Sequence, residues 1–274
     1  MTRTETRYAI DPAGLKALDT EGLRAHFLVD DLFRAGEVRL VYSHYDRLVL
    51  GSAVPDGGTL TLEHMAETGT PGFLDRREAG ILNVGAAGTI TVGGETHRLE
   101  KGELLYVGMG SGPLEFGGEG RFYITSCPAH RACPTRLIRA EDARRVEMGS
   151  RETANERVII QFLHPEVVET CQLLMGYTQF QPGSLWNTMP AHLHERRMEA
   201  YLYFDVPEEA RVFHFMGQPD QTRHMVVANE QAVISPPWSI HCGAGTAPYT
   251  FCWVMAGDNV DFADMDWVPM EDLR

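Results

Sequence analysis

Met189-Pro190-Ala191-His192-Leu193-His194-Glu195-Arg196-Arg197-Met198-Glu199 is the stretch that decides the reading, and Ser235-Pro236-Pro237-Trp238-Ser239-Ile240-His241 answers it downstream. Together they spell H-x-H-x4-E and P-x-W-x2-H, three imidazoles and one carboxylate. Side chains alternate across a strand, so His192 and His194 point to one face and can share one ion. Glu199 has the wrong parity for an unbroken strand from His194. The charged step Glu195-Arg196-Arg197 must therefore hold a bulge or turn that returns Glu199 to that face. His241 arrives from a distant strand opened by the Pro-Pro pair, and Cys242 after it should face away. The competing reading is a core with three partnered histidines and a salt-bridged Glu, which buries several costly polar groups without gain. A metal site inside a small β-barrel is the better account.

Working outward, the chain has 274 residues, 43% of them hydrophobic, with mean hydropathy −0.22. Length over about 150 suggests two domains, each with ample core. No apolar run approaches the ~18 residues that would span a bilayer, and nothing behind Met1-Thr2-Arg3 reads as a signal peptide. A formal net charge of −14 argues against nucleic acid, and an anionic ligand would need a local positive site. The five cysteines, Cys127, Cys133, Cys171, Cys242 and Cys252, form no C-x-x-C pair. Reduced thiols and a cytoplasmic location follow as expectations.

Helical signals are few: Pro12 to Asp19, Thr20 to Phe27, and candidate turns at Glu141-Asp142-Ala143-Arg144 and Val167-Val168-Glu169-Thr170-Cys171. Elsewhere β-branched and aromatic runs alternate with Gly, Pro, Asn and Asp, the pattern of an all-β sandwich or barrel. Val38 to Tyr42, Thr89 to Val92 and Arg211 to Met216 are examples. The halves echo each other. Leu74-Asp75-Arg76-Arg77-Glu78 matches His194 to Glu199 with one gap before the Glu, and Lys101 to Gly108 matches Asn229 to Pro236, which sets Pro113 opposite His241. The reading is a duplicated barrel, residues 1–140 without ligands and 141–274 with them.

The two ligand segments resemble the paired motifs of the cupin superfamily, although Trp238 stands where a Gly is usual and Gly245 where an Asn is. At finer grain the chain resembles the 5-dehydro-4-deoxy-D-glucuronate isomerase family. The resemblance is carried by Leu18 to Arg24, Tyr42 to Arg47, Leu74 to Glu78, Glu169 to Leu173, Leu185 to Pro190, Met216 to Pro219, Asn229 to Pro236 and Asp264-Met265-Asp266. It implies an all-β pair of tandem cupin-like jelly-roll barrels with a few short helices. It also implies one Zn(2+) per chain on His192, His194, Glu199 and His241, a homohexamer, and a ketol-isomerase of pectin and uronate breakdown.

Such a reaction moves a proton between adjacent carbons, and a cation on the sugar oxygens stabilises the enediolate. Three His and a Glu without Cys suit an ion able to widen its coordination, and Mn, Fe or Ni would also fit. Tyr201 and Tyr203 share the parity of Glu199 and are candidates for proton transfer, with barrel core as the alternative. His214 and His224 flank the Gly217 to Asp220 turn, near each other on a hairpin and outside the site, and are further candidates. Arg197 and Arg223 are candidates for the substrate carboxylate, with solvent-facing salt bridges as the alternative. Trp186 and Trp238 read as packing residues or as sugar-lining rings. A cupin dioxygenase and a non-catalytic sugar-acid-binding protein are the rival functions.

Overall fold

The computed structural model describes residues 2–274. The strand runs read from the sequence fall on Glu37–Ser43, Gly88–Val92 and Val212–Gln218, with Arg211 just before the last of these. Asp11 and Asp19 accept hydrogen bonds from Gly14 N and Gly22 N at 2.7 and 2.8 Å, which starts the helices Pro12–Leu15 and Thr20–Phe27. At 164–168 both Val167 N and Val168 N donate to His164 O, a turn that does not propagate. The segment 141–144 is likewise a turn running into the strand Arg144–Met148. Both expected helical turns are therefore non-helical. No helix among the described residues is long and apolar enough to cross a membrane.

Two compact units are present, and they do not follow chain order. Residues 31–144 form the first with Met1–Arg7 and Phe162–Met175, while Tyr8–Asp30, Arg145–Gln161 and Gly176–Arg274 form the second. A single boundary at 140 thus misses two exchanged segments. In the second unit, Leu23 and Phe27 of the helix Thr20–Phe27 are buried, and Leu28–Val29 then adds a strand against Val233 and Ala232. No local pattern announces such long-range docking.

Each barrel pairs a seven-stranded with a four-stranded sheet, and the strand orders correspond position by position. In the first, Arg77–Asn83 lies between Phe122–Pro128 and Leu104–Val107; in the second, Arg197–Phe204 lies between Thr250–Gly257 and Gln231–Ser235. Arg77 and Arg197 open these central strands, so Ala79 is the counterpart of Glu199, Ile81 of Tyr201 and Asn83 of Tyr203. Gly88 faces Gly118 as Val212 faces Gly245, which equates Ile90 with His214 and Leu114 with His241.

This register corrects the gapped alignment. Glu78 lies on the opposite face of its strand from Ala79, and Leu114 rather than Pro113 stands opposite His241. Glu78 is fully buried and accepts from Tyr106 Oη at 2.6 Å and from the backbone N–H groups of Cys171, Gln172 and Leu173 at 2.7 to 2.8 Å. It holds the 171–173 loop. Ala79, Ile81, Ile90 and Leu114 belong to the apolar core of the first unit, where each large aliphatic contributes about 1.5–3 kcal/mol by burial. The second unit gives the corresponding space to polar groups.

Candidate metal centre

His192 and Leu193 form a two-residue strand, the chain turns through Glu195 and Arg196, and Arg197 N donates back to His194 O at 3.1 Å. This is the turn that the parity of Glu199 demanded. His241 follows Pro236-Pro237 on the strand Ile240–Gly245. One nitrogen from each of His192, His194 and His241 and one oxygen of Glu199 lie within 4.8 Å of one another, all four residues buried. Cys242 points away, into a cluster with Ala191, Ile240 and Val268, where burial pushes its thiol up to about 12.

His241 Nε2 lies 2.7 Å from Glu199 Oε2 and 3.0 Å from His192 Nε2, and His194 Nε2 lies 3.1 Å from Glu199 Oε2. Tetrahedral donors at ~2.0 Å from one ion stand about 3.3 Å apart, close to these spacings. His194 Nδ1 is 2.9 Å from Arg197 O, a carbonyl that can only accept, so Nδ1 carries the proton and Nε2 turns its lone pair inward. His192 Nδ1 and His241 Nδ1 are buried without a hydrogen-bond partner among the described residues. Burial, reinforced by the neighbouring His241, pulls His192 down to about 2, favouring neutral imidazole. Burial alone would raise Glu199, but His241 and His194 outweigh it and hold the carboxyl below its usual range. Lone pairs and a carboxylate thus converge on one point, an arrangement that fits a divalent cation.

The cluster opens on a cavity of about 220 Å3 whose polar wall includes Arg157, Thr178, Thr188, Glu199 and Tyr201. Phe251, Trp253 and the exposed Trp267 supply much of the rest. Arg157 is the one Arg or Lys in this wall among the described residues. It is half-buried, and its guanidinium donates to Asn155 O at 2.9 Å. Sequence reasoning missed Arg157, whose signal was parity: it heads an apolar strand and shares a face with Ile159, another wall residue.

Arg197 has a different task. It is 0% exposed, and its guanidinium donates to Asp261 O at 2.5 Å and Asp264 O at 2.7 Å. It is neither a substrate-facing cation nor a surface ion pair, because both strong bonds clamp a C-terminal strap, residues 261–268. The corresponding Arg77 donates in the same way to Arg47 O and Ser126 O, both at 2.7 Å. The strap continues through Trp267, whose ring lies 5.2 Å from that of His192, and Val268 N donates to Ala191 O at 2.9 Å.

Tyr201 lines the cavity, while Tyr203 sits behind it, its hydroxyl 2.8 Å from His214 Nδ1. His214 is fully buried in the barrel rather than outside the site, and burial pulls it down to about 3. His224 projects outward beside Phe213 and Phe215, since the hairpin pairs it with Phe215 and pairs His214 with Met225. Arg223, Trp186 and Trp238 are not among the cavity-lining residues.

The chain is 63% identical over 274 residues, all of both sequences, to a 4-deoxy-L-threo-5-hexosulose-uronate ketol-isomerase of Cereibacter sphaeroides. In fold it is similar to an IolB-like protein from Salmonella typhimurium, with TM-score 0.74, 17% identity, and 88% of this chain and 96% of that one covered. It also matches oxalate decarboxylase from Lactobacillus farciminis at TM-score 0.55 and 11% identity, with 78% of each chain covered. A family model spans residues 27–270, and the chain belongs to the KduI/IolB family.

Proposed function

We propose that this chain is a metal-dependent ketol-isomerase interconverting 5-dehydro-4-deoxy-D-glucuronate and 3-deoxy-D-glycero-2,5-hexodiulosonate in uronate breakdown. The observation that carries the reading is a buried His3Glu cluster opening on a sugar-sized cavity, in a chain 63% identical end to end to a protein of that name. His192, His194, Glu199 and His241 hold one ion, assigned as zinc from the family resemblance. When bound, the ion supplies Lewis-acid stabilisation of charge on the carbonyl and adjacent hydroxyl oxygens.

Arg157 binds the sugar carboxylate, replacing Arg197 and Arg223 in that role. It lines the cavity in a protein of net charge −14, where an anion otherwise meets repulsion. Tyr201 and Thr188 present hydroxyls beside Glu199, and the apolar rings of the wall exclude water during enolisation. We place the enzyme in the cytoplasm as a homohexamer, a reading supported by five free thiols and by the family resemblance.

A coupled assay on unsaturated galacturonate breakdown products tests the proposal. Chelation should abolish isomerisation and zinc should restore it. Oxygen consumption by an iron-loaded enzyme that leaves the sugar's carbonyl position unchanged would favour the dioxygenase instead.

A further inference from the structure

A chain of buried polar groups runs from the cavity wall, at Asn187, Thr188 and Tyr201, back to Tyr249, apart from the metal ligands. Asn187 is 1% exposed; its amide nitrogen donates to Thr188 Oγ1 at 3.0 Å, and its amide oxygen accepts from Tyr249 Oη at 2.5 Å. Thr188 Oγ1 lies 3.4 Å from Tyr201 Oη at the cavity surface. Tyr203 Oη, paired with His214, approaches the same point. A Cβ on Gly243 would lie 3.0 Å from both Asn187 Oδ1 and Tyr203 Oη, and 3.4 Å from Tyr249 Oη. Gly243 pairs with Asn187 on one side and His214 on the other, so its missing side chain lets these polar atoms gather.

Thr188 has φ 58, the left-handed region. That conformation is costly for a β-branched residue and persists only where neighbours over-determine it. Here Asn187, itself held by Tyr249, donates to Thr188 Oγ1 and so orients the threonine hydroxyl toward Tyr201. A fully packed apolar core would have cost less, as the first barrel illustrates with Ile81 at the Tyr201 position and Ile90 at the His214 position.

We propose that Asn187 and Tyr249, packed over Gly243, are positioning residues for isomerisation. They hold Thr188, and through it the Tyr201 hydroxyl, where that hydroxyl donates to the sugar oxygen that gains charge on enolisation. This rests on the ketol-isomerase reading. Tyr201 touches substrate; Tyr249, which is not in the cavity wall, acts through Asn187 and Thr188.

The test compares Tyr249→Phe, Tyr201→Phe and the double variant, each zinc-loaded, measuring kcat, KM, metal content and the absorption of the cobalt-substituted protein. Tyr201→Phe should lower kcat about 100-fold, as loss of one donor to a developing oxyanion does. Tyr249→Phe should lower kcat about 10-fold through misplacement. KM, metal content and the cobalt spectrum should stay near wild type. The double variant should be no slower than Tyr201→Phe alone, because the second change then has nothing left to misplace. Gly243→Ala, which crowds the array without deleting a hydroxyl, should reproduce the kcat loss if Tyr249→Phe folds poorly. Wild-type kcat in folded Tyr249→Phe, or multiplicative losses in the double variant, overturns the array while leaving the ketol-isomerase reading intact. A metal-loaded wild type inert on the sugar overturns both.

Discussion

Arg197→Met and Arg157→Met should fail in opposite ways. Arg197 makes two charge-assisted bonds to strap carbonyls, at 2.5 and 2.7 Å, from a fully buried site. Each such bond contributes about 1.5–3 kcal/mol, offset in part by the cost of burying the guanidinium, so removal should destabilise by roughly 2–4 kcal/mol. For a domain of this size that is a melting shift of roughly 6–12 °C. KM for the uronate should move little in protein that remains folded. Arg157 instead donates to Asn155 O and lines the cavity. Its loss should leave the melt within about 0.5 kcal/mol. KM should rise by roughly 10- to 150-fold, the value of a charge-assisted carboxylate contact. Denaturant melts followed by tryptophan fluorescence, with steady-state kinetics on the same preparations, separate the two. An Arg197→Met protein of wild-type stability with a large KM increase would refute the division of roles.

The other expectations are shorter. His241→Ala should keep its fold yet lose tightly bound metal and activity by orders of magnitude, as metal analysis and the coupled assay would register; wild-type turnover without metal would sink the mechanism. Elemental analysis should give one metal per chain, since Ala79 and Leu114 occupy the counterparts of Glu199 and His241; two tightly bound ions contradict it. Asp264 is held at about 2, against an ordinary 3.8, chiefly by the Arg196 hydrogen bond and then Asn259. Its folded value is depressed, so its contribution to strap stability is complete above the ordinary value and lost as pH falls through the folded one. Wild type should therefore lose more stability than Asp264→Asn between about pH 4 and pH 2; parallel pH profiles would exclude that contribution.

What was legible in the chain was what local parity encodes. His192 and His194 share a face by period two, and the displaced parity of Glu199 demanded the turn found at Glu195 and Arg196. The β-branched runs marked strands for the same reason. Arg197 misled because Glu195-Arg196-Arg197 looks like a solvated charge run, while its partners at Asp261 and Asp264 are far along the chain. Glu78 misled because matching letters across a gap ignored that one residue of slippage turns a strand side chain to the opposite face. The exchange of 8–30 and 162–175 between units lies in long-range packing.

Arg197 also explains why the ligand turn and the strap belong to one device. Its backbone carbonyl accepts from His194 Nδ1 and fixes that ring's tautomer, while its side chain clamps Asp261 O and Asp264 O. The strap then returns to His192, through the Trp267 ring and the Val268 to Ala191 hydrogen bond. One residue thus ties the orientation of one ligand to the segment packed against another. Arg77 provides the control within the same chain: it clamps carbonyls in the same strand position, yet Ala79 follows where Glu199 would stand. The clamp therefore belongs to the barrel, and what distinguishes the second unit is the donor set placed upon it. Substitutions that loosen the clamp should therefore cost stability first, with KM little changed in protein that remains folded, whereas substitutions of the donors remove the ion from a barrel that remains folded.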